Sequence, residues 1–162
     1  AEALLLGGFT ATLHQGSVTQ YGPTSFVYHH PKDLLSAQVF SDPPINTATV
    51  TKQGDRFHYS PSVSWAVEDR YARLPDGEYT IGFRPHHINL RPGNGESVKV
   101  EGRVVITEIS GSESVVHARV EEDTWVSLSH GIHRLEVGDK TELFLQVDRC
   151  FYFDSQKRLI GG

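Results

Sequence analysis

From residue 46 onward, turn chemistry cuts this chain every few residues into short β-prone runs. No other feature constrains the fold so tightly. Gln53-Gly54-Asp55, Pro75-Asp76-Gly77, Pro92-Gly93-Asn94-Gly95, Gly111-Ser112-Glu113-Ser114 and Gly138-Asp139-Lys140 each supply turn residues. Between them, residues 47–51 alternate, 56–59 return, and 63–67 alternate again. Runs at 78–83, 97–108, 115–120, 125–128, 141–147 and 151–154 follow. Gly102 interrupts the longest run, as glycine does at a bulge or a barrel bend. Many short strands at near-regular spacing with turn chemistry between them predict a mainly β fold, a small closed barrel.

The first 45 residues read differently. Residues 3–6 read as the tail of a helix stopped by Gly7-Gly8. Residues 9–14 and 17–21, joined at Gln15-Gly16, read as a β-hairpin. An isolated hairpin of this size does not hold together in water, so it requires a partner sheet. Thr24 or Ser25 can cap a short helix through Phe26, Val27 and Tyr28, and Pro31 stands near the start of a second helix over 33–40. Ser41-Asp42-Pro43-Pro44 stops it. The expected organisation is therefore a hairpin remnant at 1–22, a short helical connector at 23–45 and a barrel at 46–162. The chain has no methionine and opens in mid-pattern at Ala1-Glu2-Ala3-Leu4, which reads as a piece of a longer protein.

Catalytic readings fail on residue type and spacing. A phosphate loop needs glycine amides and a lysine ahead of a helix, but Gly138-Asp139-Lys140-Thr141 puts a carboxylate where phosphate would lie. The pairs His29-His30 and His86-His87 diverge on a strand or a helix, so neither makes a bidentate metal site. No cysteine set accompanies them, and no metal is expected. No nucleophile-elbow motif is present. Glu121-Glu122-Asp123 reads as a solvated loop, or as an acidic docking patch. Trp65 and Trp125 read as core residues. The lone Cys150, in an apolar run, reads as a buried inert thiol. A formal charge of −5 argues against nucleic acid as a partner. No apolar stretch approaches the length of a membrane span.

Several segments carry a family resemblance. Gly82-Phe83-Arg84-Pro85-His86-His87-Ile88 resembles the "G-x-R-P-x-x-[IV]" segment that opens the accessory barrel of sugar-type ABC importer ATPase subunits. Glu2-Ala3-Leu4 is similar to residues just after the switch histidine of such ATPases. The stretch from Gln15 to Pro23 resembles the hairpin closing the ATPase domain. Val27-Tyr28-His29-His30-Pro31 and Phe40-Ser41-Asp42-Pro43-Pro44-Ile45-Asn46 resemble the passage into the accessory domain, although Ser41 and Asp42 depart from its usual Gly and small residue. Gly111-Ser112-Glu113 and Phe153-Asp154 continue the match in order. His86 stands where the family usually has Glu.

The resemblance implies a transport-associated, OB-fold-like small β-barrel, TOBE/MOP-like, that is not itself an enzyme. ATP and Mg would be bound upstream in the complete subunit, and this piece would need no cofactor. The implied partners are a second copy in a homodimer, transmembrane permease subunits reached through the ATPase domain, and a regulatory protein. The implied location is cytoplasmic, on the inner face of the cell membrane. Gly82, Arg84, Pro85, Gly111, Ser112 and Glu113 are the candidate contacts with a subunit or partner. Two alternatives stay open: a small-oxyanion-binding barrel, for which Arg84, Lys99 and Arg103 are candidates, and a nucleic-acid-binding barrel.

Overall fold

A computed structural model describes residues 2–6, 9–14, 17–23, 33–34, 37, 44–93 and 95–160, the segments up to residue 23 as backbone only. The first of these segments corrects the sequence reading. Residues 3–6 are not helical: they belong to strand β1 (Glu2–Leu6), which pairs antiparallel with β2 (Phe9–His14), and β2 pairs with β3 (Ser17–Pro23). Leu6 stands opposite Phe9, so Gly7-Gly8 connects two strands. Gly-Gly suits a two-residue hairpin as well as a helix stop. A leucine run this short gains little as an isolated helix, whereas pairing satisfies its backbone at once. The unit is thus a three-stranded sheet rather than a hairpin.

In the connector, Leu34 and Ala37 are helical, with Ala37 N–H bonded to Asp33 O at 3.1 Å. Asp33 bridges to Arg158, and buried Ala37 clusters with Ile45 and Phe153. The expected helix at 26–28 and the rest of 33–40 lie outside the described residues.

The remaining strands form two five-stranded sheets. The first contains β4 (Asn46–Gln53), β5 (Arg56–Ser60), β6 (Val63–Ala66), β7 (Gly77–Phe83) and β13 (Phe151–Phe153), in the order β13-β7-β4-β5-β6. The second contains β8 (Ile88–Asn89), β9 (Val98–Ser110), β10 (Glu113–Val120), β11 (Asp123–His130) and β12 (Lys140–Leu145), in the order β11-β10-β9-β12-β8. Burial alternates along β4, β10 and β11, as strands with one face on a core require.

The second sheet curls until its two ends nearly meet, giving the OB-like barrel. Ser127 Oγ donates to Ile88 O at 2.6 Å, and Leu90 N–H donates to Ser129 Oγ at 3.3 Å. Hydroxyls on β11 therefore do at this seam what a ladder does elsewhere. Gly102 sits where β9 and β10 cross closely: a Cβ there would lie 3.0 Å from Val120 Cγ2 and 3.1 Å from Arg119 O. The register shift itself falls at Val104–Ile106, opposite His117 and Ala118, so the bulge lies beyond Gly102.

One core joins the sheets. Phe57 stacks on Tyr152 at 4.6 Å, whose hydroxyl accepts from Trp65 Nε1 at 2.9 Å. Trp125 meets Phe83 edge-on at 5.0 Å and donates to Thr47 O at 3.2 Å. Both tryptophans are core residues, as expected. Asn46 binds β11 twice: Nδ2 donates to Val126 O at 2.9 Å, and Val126 N–H donates to Oδ1 at 2.8 Å. Its carboxamide imitates a peptide unit and fastens the first sheet to the second. Cys150 is a buried free thiol, and burial holds its pKa above the ordinary thiol range.

Candidate functional site at the barrel seam

The candidate residues around Arg84 are interior. Gly82 lies in β7 between β4 and β13, where a Cβ would be 3.1 Å from Phe153 Cε2 and 3.2 Å from Ile45 Cδ1. Arg84 takes the extended conformation that a following proline imposes and is 3% exposed, its guanidinium 5.1 Å from the Phe151 ring centroid. Pro85 is buried and opens a 3-10 turn over Pro85–His87, closed by His87 N–H to Arg84 O at 2.9 Å. Chain direction changes here, and β8 begins at once. These three residues place β8 at the seam from inside.

His86 and His87 form the outer part of that turn, their rings 4.0 Å apart. Burial lowers the pKa of His86, and the charges of Arg84 and Arg149 lower it further. Burial, then His86, Arg149 and Arg84, bring His87 down to about 4. The charged groups acting on both rings are cations.

The turn at Gly111, Ser112 and Glu113 lies at the surface on the far side of the seam. Gly111 has φ +60° and open space around it, which fits a hairpin tip. Glu113 pairs with both Ser110 and His130. The loop after β11 is braced against this tip. Gly131 N–H donates to Ser112 O at 2.7 Å, Ser114 Oγ donates to Gly131 O at 2.9 Å, and His133 N–H donates to Ser114 Oγ at 2.9 Å. Beside it opens a groove of about 450 Å³, lined among others by Asn89, Arg91, Ser129, His130 and His133.

The cations considered for an oxyanion do not converge. Arg84 is inside, and Lys99 is paired with Glu142 at 3.0 Å. Arg103 stands in register with Arg119 on one side and Lys140 on the other, along a second groove of about 610 Å³. Its Nη1 donates to Gly138 O at 2.7 Å, and Arg119 Nε donates to Glu121 O at 3.0 Å. Glu101 and Glu142 face each other beside this row, so the groove carries mixed charge. Asp123 accepts from Tyr59 Oη at 2.6 Å, which removes it from a free acidic patch. In the Gly138 loop, Asp139 Oδ2 accepts from Glu136 N–H at 2.9 Å, the work of a turn residue. Among the described residues no three His, Cys, Asp or Glu side chains gather as a metal would require.

Sequence reasoning missed Asn46, Ser127, Ser129 and Arg91. The two serines carried a signal: they alternate with Trp125 on the core-facing side of a strand, where polar residues need a reason.

With this geometry in view, comparison with known proteins is specific. Residues 81–153 match the family model of the TOBE domain. The xylose/arabinose import ATP-binding protein of Haloferax volcanii is 26% identical over 96% of this chain and 42% of its own length. The maltose/maltodextrin import ATP-binding protein of Vibrio cholerae is 27% identical over 97% of this chain and 44% of its own. The sn-glycerol-3-phosphate import ATP-binding protein of Escherichia coli K12 is 27% identical over 96% and 44%. The chain therefore spans less than half the length of these relatives, and it is similar to them along nearly all of its own. Among the described residues no helix is long and apolar enough to cross a membrane.

Proposed function

We propose that this chain, which carries a TOBE domain, is the non-catalytic regulatory and dimerisation part of the ATP-binding subunit of an ABC importer. The cargo class would be a sugar, a polyol or glycerol phosphate. One observation carries the reading: a TOBE match at 81–153 inside a chain similar almost throughout to importer ATP-binding subunits. Residues 1–22 would then be the end of the ATPase domain, 23–45 the connector and 46–162 the regulatory barrel. ATP and Mg would be handled by the rest of the subunit, as would contact with the membrane-spanning permease at the inner face of the cell membrane.

Division of labour at the seam follows from burial. Gly111, Ser112 and Glu113 would touch a second copy or a regulatory protein directly. Gly82, Arg84 and Pro85 would act from inside, by fixing β8. The test uses the full-length subunit. Ser112→Arg is expected to weaken dimerisation or abolish regulated transport with folding intact, and unchanged association and transport would refute the contact. Calorimetry of this chain with Mg-ATP is expected to show no binding; micromolar affinity would refute the non-catalytic reading.

A further inference from the structure

We infer that the open edge of β9 over residues 105–110 pairs antiparallel with the same edge of a second copy, making one sheet across two barrels. This contact rests on the dimerisation reading and extends it from the 111–113 tip along the adjoining strand. β9 is the longest strand, and β12 covers its far side only from Val98 to Arg103. Val104 is closed by a loop: its N–H donates to Asp139 O at 2.9 Å, and its carbonyl accepts from Gly138 N–H at 2.8 Å. Beyond it, residues 106–110 pair with β10 alone, and among the described residues no other backbone bond reaches 105–110. Elsewhere the fold covers its edges. Leu159 bridges β13, with Ile160 N–H on Tyr152 O at 2.9 Å, and Asn46 takes up β11 at Val126. Edges left open are usually short, or carry Lys or Pro against unwanted pairing. Val-Ile-Thr-Glu-Ile-Ser at 105–110 has neither residue.

Five large hydrophobics stand exposed among the described residues: Val105, Ile106, Ile109, Ile132 and Val137. Three lie in this stretch, and the other two lie in the 131–139 loop that joins its ends. That loop leaves the tip where Gly131 N–H meets Ser112 O at 2.7 Å, and it reaches Val104 at Gly138. Apolar surface gathered in one place marks a protein contact rather than a solvated strand. A second copy fits because the edge is self-complementary. Gly111-Ser112 is a two-residue loop between paired Ser110 and Glu113, so Ser110, and by alternation Glu108, turn N–H and C=O toward β10. Thr107 and Ile109 then turn theirs outward, where another strand can meet them. A two-fold axis at Thr107 sets that residue against its own copy, Val105 against Ile109, and Ile106 against Glu108. The one charge in the stretch thus faces an apolar side chain, and Thr–Thr and apolar pairs across strands are favourable. An axis one residue along would set Glu108 against Glu108, which is unfavourable.

The experiment follows the whole chain by analytical ultracentrifugation and hydrogen exchange as its concentration rises from micromolar to millimolar. The expected result is a reversible dimer in which the Thr107 and Ile109 amides exchange more slowly at high concentration, while those of edge strand β6 do not. Ile109→Lys, at an exposed position, should weaken dimerisation about tenfold or more. Cys150 is buried and is the only cysteine, so Thr107→Cys supplies one reactive thiol. Directly opposed residues of a bonded antiparallel pair stand about 5.5 Å apart at Cα, a spacing that suits a disulfide. Mild oxidation should therefore link two copies of Thr107→Cys, and should not link Thr49→Cys, on the exposed face of the other sheet. A dimer that Ile109→Lys leaves unchanged, with exchange at 107 and 109 independent of concentration, overturns the edge pairing and leaves the dimerisation reading standing. A chain that stays monomeric to millimolar concentration overturns the edge pairing and, with it, dimerisation by this part of the subunit.

Discussion

Replacing Asn46 by alanine should cost this fold more than a 5% exposed polar residue at a strand end would suggest. The carboxamide makes both bonds of a peptide unit with Val126, at 2.9 and 2.8 Å. Truncation leaves a donor and an acceptor on β11 without those partners, and each such loss costs about 1–3 kcal/mol when buried. Val126 is half-buried, so water recovers part of this, and the low end of the summed range applies: about 2–3 kcal/mol. For a chain of this length each kcal/mol moves Tm by about 2–4 °C, so the expected drop is about 4–12 °C. Urea unfolding should show an earlier midpoint with an unchanged slope, and hydrogen exchange at Val126 should quicken. Asn46→Asp is the sharper variant. It keeps the acceptor for Val126 N–H but turns the donor into an anion facing Val126 O, and should cost at least as much as alanine. A loss below about 0.5 kcal/mol in Asn46→Ala, the range of ordinary surface substitutions, would refute the fastening role.

Further expectations concern charge and packing. His87 has a folded pKa of about 4 against an ordinary value of 6.5, so stability is complete above pH 6.5 and is lost as pH falls toward 4. Allowing for solvent screening of a partly exposed ring, the loss is about 1–2 kcal/mol; it should shrink in His87→Phe, and an unchanged pH profile in that variant would refute the assignment. Arg119→Glu should stabilise the barrel by about 0.2–1 kcal/mol, because it breaks a row of like charges directly opposite one another, and chemical denaturation would show a rise or its absence. Gly82→Ala should destabilise by about 1–3 kcal/mol through its contacts with Phe153 and Ile45, and a neutral result would show that β13 yields.

The barrel was legible because its signals are local. Alternation in 47–51 and 115–120, and glycine or proline turns between runs, depend on near neighbours, and the strands fall on those segments. The failure at residues 3–6 has the same origin. Leucines followed by Gly-Gly fit either a helix end or a hairpin, and only the residues paired across from them decide. Gly102 stood out in β9 because a missing Cβ is a property of one residue, and β10 approaches closely there. The bulge is a relation between β9 and β10, and no residue at 104–106 announces it.

The site was harder to read for a reason of distance in sequence. The groove joins residues 89–91 to 129–133, and its walls depend on Ser112 and Ser114. Arginine and proline in succession at 84 and 85 looked like surface chemistry, yet they hold the strand exit from within. The polar residues that organise the seam, Asn46, Ser127 and Ser129, occupy core-facing positions where apolar side chains would have added burial. Each instead satisfies backbone groups that lie outside the regular ladders, at Val126, Ile88 and Leu90. The seam is thus closed by side chains rather than by strand pairing, and it is shorter in hydrogen bonds than the ladders beside it. A partner acting on this barrel at the 111–113 tip would meet at the seam a junction where few bonds must change for the β8 and β11 ends to move apart.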